Sequence, residues 1–190
     1  MKKFNRKEIL CLEDGKISKP YDKIGDFVDG FAIVLSNGMY GFIDEELNEI
    51  VVPQFEEVHN FKNGYAIVRS ERGWGAIDQT GKVVVDNQFF NLGDFNSCGL
   101  APFKFAGRYG AVDSTGKVVV KPIYECKISF HEGFACIRRD CRWGFINEAF
   151  EEVISPIYDL AGDFQCGRAL VLVSKDHQRF INTKCEFINI

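Results

Sequence analysis

The side chains able to do chemistry recur along this chain instead of converging. Asp44, Asp78, Asp113, Asn147 and Asn182 stand at matching places, each closing a short apolar run. Two carboxylates that share one substrate bond could act as acid and base or as acid and nucleophile. These lie about one period apart, so no pair of them is selected. An Asp or Asn before a Gly-bearing turn has a simpler task, which is to cap the turn through its own side chain. Glu45-Glu46 and Glu56-Glu57 are local pairs read as solvated. Cys126 and His131 could form a nucleophile and base, but their spacing fits no known arrangement. No P-loop, G-x-S-x-G or metal-type Cys/His cluster is present, and no catalytic residue, metal or cofactor is expected.

One polar series does suggest a ligand. Arg69, Lys104 and Arg138 occupy one equivalent position in three consecutive segments, with Arg139 and Arg142 nearby. A stacked row of cations suits the acidic surface of a partner protein. Against it stands an ordinary solvated face, in which Arg69 and Arg138 pair with Glu71 and Asp140. The net charge of −4, with acids outnumbering bases 27 to 23, argues against nucleic acid as that partner. No apolar run reaches the roughly 18 residues of a membrane span, so no membrane is expected either.

Placing these side chains requires a repeated element. An aromatic-Gly pair appears at Tyr40-Gly41, Trp74-Gly75, Tyr109-Gly110 and Trp143-Gly144, spaced 34, 35 and 34 residues apart. Gly30, Gly64, Gly99, Gly133 and Gly167 each begin a Gly-x-Ala step in the same register. Phe27, Phe61, Phe95, Phe130 and Phe164 precede them. Each period holds three apolar runs rich in Val, Ile and aromatics, divided by turn residues, which reads as a β-meander. The expected fold is therefore all-β, built from tandem three-stranded meanders of about 34 residues. An open superhelical array is favoured, because the two ends duplicate each other's runs. A five-unit propeller-like ring is the alternative.

The pattern aromatic-Gly-Phe/Ala-Ile/Val-Asp, then Gly-Lys, a β-branched run, Pro-x-Tyr and Phe-x-x-Gly-x-Ala, resembles the WG repeat family of bacterial β-rich repeats. Trp74-Gly75 and Trp143-Gly144 match its name directly, and Tyr40 and Tyr109 are close variants. Gln178-Arg179 stands where the last aromatic-Gly is expected. The resemblance implies a binding or scaffold role and brings no catalytic residues.

The array is expected to fill residues 1–190 as one domain. A partial unit covers 8–29, with Ile9–Leu12 and Lys16–Lys19 as its runs. Units follow near 30–63, 64–98, 99–132 and 133–166, and a C-terminal unit covers 167–190. Strand alternation puts Ala32/Val34, Ala66/Val68, Ala101/Phe103, Ala135/Ile137 and Ala169/Val171 in the core. The connector after each third run is expected as an ordered loop pinned by its Phe, with room for a turn of 3₁₀ helix. The Gly of each aromatic-Gly pair is expected where a ring or backbone packs closely, and Trp143 is expected as a core ring.

The seven Cys follow no repeat position and include no C-x-x-C. They are expected as reduced, mostly buried thiols. With no signal-type segment after the basic Met1–Leu10, this points to the cytoplasm. The functional expectation is a non-catalytic module presenting a repeated β surface to a protein partner, in a bacterial or phage setting. The alternative is a lectin-like array that binds glycan through one aromatic per repeat, provided those rings are exposed.

Overall fold

A computed structural model describes residues 21–174 and 177–188. The expected runs Ile9–Leu12 and Lys16–Lys19, together with Cys11, lie outside the described residues, as do the last two residues of the chain. The described elements are all β, and they form five antiparallel sheets of three or four strands. The chain divides into two compact units, one ending at Asp94 and the other starting at Phe95.

The first unit holds two complete sheets. One is β1 (Lys23–Val28), β2 (Phe31–Ser36), β3 (Met39–Asp44) and β4 (Glu49–Phe55), paired in chain order. The other is β5 (Glu57–Val58), β6 (Tyr65–Ser70), β7 (Gly73–Asp78) and β8 (Val83–Phe89). A two-residue strand, β9 (Asn91–Leu92), ends the unit. The three long strands per repeat are those expected from the apolar runs. The connector is not only a loop. Its first residues form β5, which pairs Glu57 with Arg69 and Val58 with Val68. Within the described residues it contains no 3₁₀ turn.

The second unit holds three sheets. They are β10 (Leu100–Phe105), β11 (Arg108–Asp113) and β12 (Val118–Tyr124); β13 (Phe134–Arg139), β14 (Arg142–Asn147) and β15 (Glu152–Tyr158); and β16 (Leu160–Ala161), β17 (Arg168–Ser174), β18 (His177–Asn182) and β19 (Phe187–Ile188). In both units the first long strand of a repeat follows a tight turn. At Asn63-Gly64, both residues have positive φ and the flanking Lys62 and Tyr65 exchange backbone hydrogen bonds. That is the two-residue turn whose twist matches paired strands.

The core lies between successive sheets. In the first unit, Phe42, Val51 and Phe55 of one sheet meet Ala66, Val68 and Ile77 of the next, with Phe61 between them. In the second, Phe145 and Tyr158 meet Ala169, Val171 and Ile181 around Phe164. Each of the ten first-strand positions assigned to the core is buried. Phe61 lies 4.3 Å from Phe31 and edge-on to Phe42 at 4.9 Å. Phe164 repeats this against Phe134 and Phe145, at 4.6 and 5.2 Å. Such packing is worth about 0.5–1.5 kcal/mol per pair beyond the area buried. Phe95 is buried as well. Phe130 is only half-buried, and Ile128 fills the core in its place, while Phe27 is exposed on β1.

Candidate functional site

Three consecutive repeat hairpins each bring a cation onto the aromatic ring. The first and second strands are joined through two turn residues, so positions five apart face each other across the ladder. Arg69 pairs with Trp74, Lys104 with Tyr109 and Arg138 with Trp143. Their charged groups lie over the rings at 5.9, 5.3 and 5.9 Å from the centroids. Leu35 faces Tyr40 at the same place in the first complete repeat. The cation row and the aromatic row are therefore one feature of the sheet. Hairpin register contained this signal, because a two-residue turn places residues five apart opposite each other.

The rings are half-buried, not fully enclosed. Trp143 packs at the margin of its cluster, which corrects its expected place as a core ring. Trp74 has the His59 ring 5.3 Å away in addition to Arg69. A sugar that stacked on these rings would have to displace the cation from that face.

Four of the five candidate cations are also held by acids. Arg69 contacts Glu57 at 2.5 Å and Glu56 at 3.4 Å. Arg138 lies 3.9 Å from Glu125. Arg139 grips Glu152, which also accepts from the Tyr124 hydroxyl at 3.0 Å, and Arg142 pairs with Asp159. Burial, together with that bond to Glu152, pushes the Tyr124 phenol up to about 12. The acids on Arg69 and Arg138 come from the start of the connector, not from Glu71 and Asp140 in the hairpin turn as expected, while Glu152 opens β15. The start of the connector lies beside the first strand of the next repeat: the Glu56 and Glu125 amides donate to the Arg69 and Arg138 carbonyls, and Glu57 pairs with Arg69 in β5, which brings Glu56, Glu57 and Glu125 to the cations.

The glycine after each aromatic has a backbone cause. Val51 and Phe55 of β4 pair with Phe42 and Tyr40 of β3, so Val52, Pro53 and Gln54 bulge opposite Gly41 alone. A Cβ on Gly41 would meet the Val51 carbonyl oxygen at 2.3 Å. Gly75, Gly110 and Gly144 are overarched in the same way, at 2.5, 2.4 and 2.3 Å. Pro53, Pro122 and Pro156 suit the bulge because they bring no N–H to it. Asn87 replaces Pro in the second complete repeat and donates from its side chain to the Val68 and Gly73 carbonyls.

The Asp/Asn series caps turns. Asp78 accepts from the Thr80 amide and hydroxyl and from the Lys82 amide, and Asp113 does the same with Thr115 and Lys117. The threonine hydroxyl is the main cause holding both carboxyls below the usual range. Asn147 and Asn182 accept from the Glu151 and Glu186 amides, and Asp44 from that of Asn48. Among the described residues, no group of His, Cys, Asp and Glu side chains is arranged to hold a metal.

Two of the three histidines link connectors. His59 Nδ1 lies 2.8 Å from Asp94, and His131 Nε2 lies 3.5 Å from Asp163. His131 thus faces a carboxylate, while the Cys126 thiol donates to the Cys136 carbonyl at 3.6 Å and burial raises its pKa. Six described cysteines are free. Cys136 alone among them is buried, and Cys98, Cys141 and Cys166 are exposed. This corrects the expectation of mostly buried thiols: Cys141 and Cys166 sit in tight turns with positive φ.

A model of the WG containing repeat matches residues 13–40, 40–71, 74–109, 109–140 and 143–175. The chain belongs to the WG containing repeat family. The matches start or end on the aromatics at 40, 74, 109 and 143, and the last ends before Gln178-Arg179, where the WG repeat pattern is lost. No curated protein matches the chain. Among solved structures, a eukaryotic initiation factor is similar at TM-score 0.51 and 11% identity, over 91% of this chain and 55% of that one. Hsv2p from Kluyveromyces lactis follows at 0.45 and 9%, over 85% and 61%. BamB from Moraxella catarrhalis gives 0.41 and 11%, over 87% and 72%. The WG repeat chain spans less than two thirds of the initiation factor and of Hsv2p. At these identities the likeness to the initiation factor is one of fold.

Proposed function

We propose that this WG repeat chain is a non-catalytic binding module that docks a protein partner on its cation-aromatic surface. The observation that carries the reading is the recurrence of a cation over a half-exposed ring, Arg69 on Trp74, Lys104 on Tyr109 and Arg138 on Trp143. Arginine, tryptophan and tyrosine dominate interface hot spots because they give large contact area and directed polar groups from stiff side chains. Here the rings and neighbouring acids hold those cations in place before any partner arrives, which lowers the ordering cost of docking. Free thiols, three of them exposed, support a reducing, cytoplasmic setting.

The test is the variant Arg69→Gln, Lys104→Gln, Arg138→Gln, which removes the charges without setting new acids against Glu56, Glu57 and Glu125. Proteins cross-linked to the wild type in its host should be lost from this variant while its thermal melt stays cooperative. Equal capture by a folded triple variant would refute the reading.

A further inference from the structure

The connector phenylalanine is a plug, and the sheet before it is the socket. Phe61 lies against Phe31 and edge-on to Phe42, and Phe164 lies against Phe134 and edge-on to Phe145. Across those hairpins Ile33 pairs with Phe42 and Cys136 with Phe145. Each socket therefore consists of the first and third residues of one strand and the residue facing the third. In β17 and β18 the same positions hold Arg168, Leu170 and Phe180. This socket is open: the three residues line a depression of about 390 Å³, with Gly162 and Gln165 among others. Among the described residues no ring contacts Phe180, and the Arg168 guanidinium lies over it, 5.4 Å from the centroid. One plug, in turn, stands in the open. Phe27 comes three residues before Gly30, as Phe61 does before Gly64 and Phe164 before Gly167. Phe61, Phe95 and Phe164 are at most 2% exposed, whereas Phe27 is 41% exposed and Val28 beside it 37%. Asp26 and Asp29 flank Phe27 and are exposed as well. Neither acid has an ion pair among the described residues, and neither has Arg168.

We propose that the Phe27 plug of one copy of this chain enters the Arg168, Leu170 and Phe180 socket of a second copy. The arriving ring takes the place that Phe164 has on Phe134 and Phe145. Phe180, at the position of Phe145, meets its edge. Arg168, at the position of Phe134, meets its face. The guanidinium exchanges the Phe180 ring for the Phe27 ring and so keeps a cation–π contact. Asp26 and Asp29 arrive with the plug and are opposite in sign to Arg168, which favours this occupant over an exposed phenylalanine without acids beside it. Asp163 also lines the socket, but it faces His131 at 3.5 Å. The contact is heterologous, so a pair of copies still offers one plug and one socket. No residue of the cation-ring surface takes part, and the inference stands apart from the docking reading above.

Sedimentation of the full chain under reducing conditions tests the contact. The mean mass of the wild type should rise with concentration. Phe27→Ala and Arg168→Glu alter exposed side chains, and both variants should melt like the wild type. Phe27→Ala should weaken self-association about thirtyfold, the loss of one interface hot spot. Arg168→Glu sets a carboxylate against Asp26 and Asp29 and should weaken it at least as much. An equimolar mixture of the two variants should form dimers and no larger species, because one chain keeps the socket and the other keeps the plug. A wild type that stays monomeric into the millimolar range, association that survives either substitution, or a mixture that associates no better than its components would each overturn the contact.

Discussion

Trp143 and Gly144 are neighbours in β14 with opposite sensitivities. Trp143 is half-buried at the cluster margin, with Arg138 over its ring. Trp143→Ala should therefore cost about 2 kcal/mol, less than the roughly 3–5 kcal/mol of a fully enclosed aromatic. Gly144 has no room at all. An alanine Cβ would lie 2.3 Å from the Ile154 carbonyl oxygen and 2.8 Å from the Pro156 nitrogen, and neither is a flexible side-chain end. Gly144→Ala should cost at least the 1–3 kcal/mol or so typical of overpacking, through opening of the β14–β15 bulge. Chemical denaturation of both variants checks the order: the one-carbon addition should destabilise at least as much as removal of the whole indole. A glycine was readable in the sequence as a site of close approach. That the neighbour is a backbone bulge depended on two extra residues in the facing strand, which only the pairing register reveals.

At the scale of the element, the connector is the part that sequence patterning described least well. Its short strand has two residues, too few for an alternation pattern to show. Its polar residues then act on other elements. Glu132 accepts from the Cys166 and Gly167 amides, so one repeat's turn holds the next repeat's turn. His59 and Asp94 link connectors in the first unit, and this pair has a pH signature. The hydrogen bond to Asp94 raises the His59 pKa, and the same bond lowers that of Asp94. A raised imidazole contributes stability that is fully present below its unfolded value of about 6.5 and is lost as pH rises through the higher folded value. A lowered carboxyl contributes stability present above about 3.9 and lost as pH falls through the lower folded value. The stability gap between wild type and Asp94→Asn should be widest between these limits and shrink on both sides. Urea melts of the two proteins from pH 3 to about 8.5 should trace that plateau; a gap that grows above about 7 would contradict the pairing.

At the scale of the whole molecule, each of the two compact units carries one tryptophan, Trp74 or Trp143. Arrays whose repeats contact mainly their neighbours unfold by local steps. Phe61→Ala empties the centre of the core in the first unit and should cost about 3–5 kcal/mol there. In single-tryptophan variants, the Trp74 transition should move to lower denaturant further than the Trp143 transition; equal displacement would show one cooperative unit. The period, the strand count per repeat, the buried face of each first strand and the turn-capping role of Asp78 and Asp113 were determined by the sequence alone. Each follows from local rules: alternation along a strand, turn chemistry at fixed offsets, and repetition that multiplies a weak signal. The acid partners of Arg69 and Arg138 and the half-burial of Trp143 were decided only by tertiary structure. Each depends on which strand lies beside which, and on the side chains that a neighbouring connector brings to a surface it is distant from in sequence.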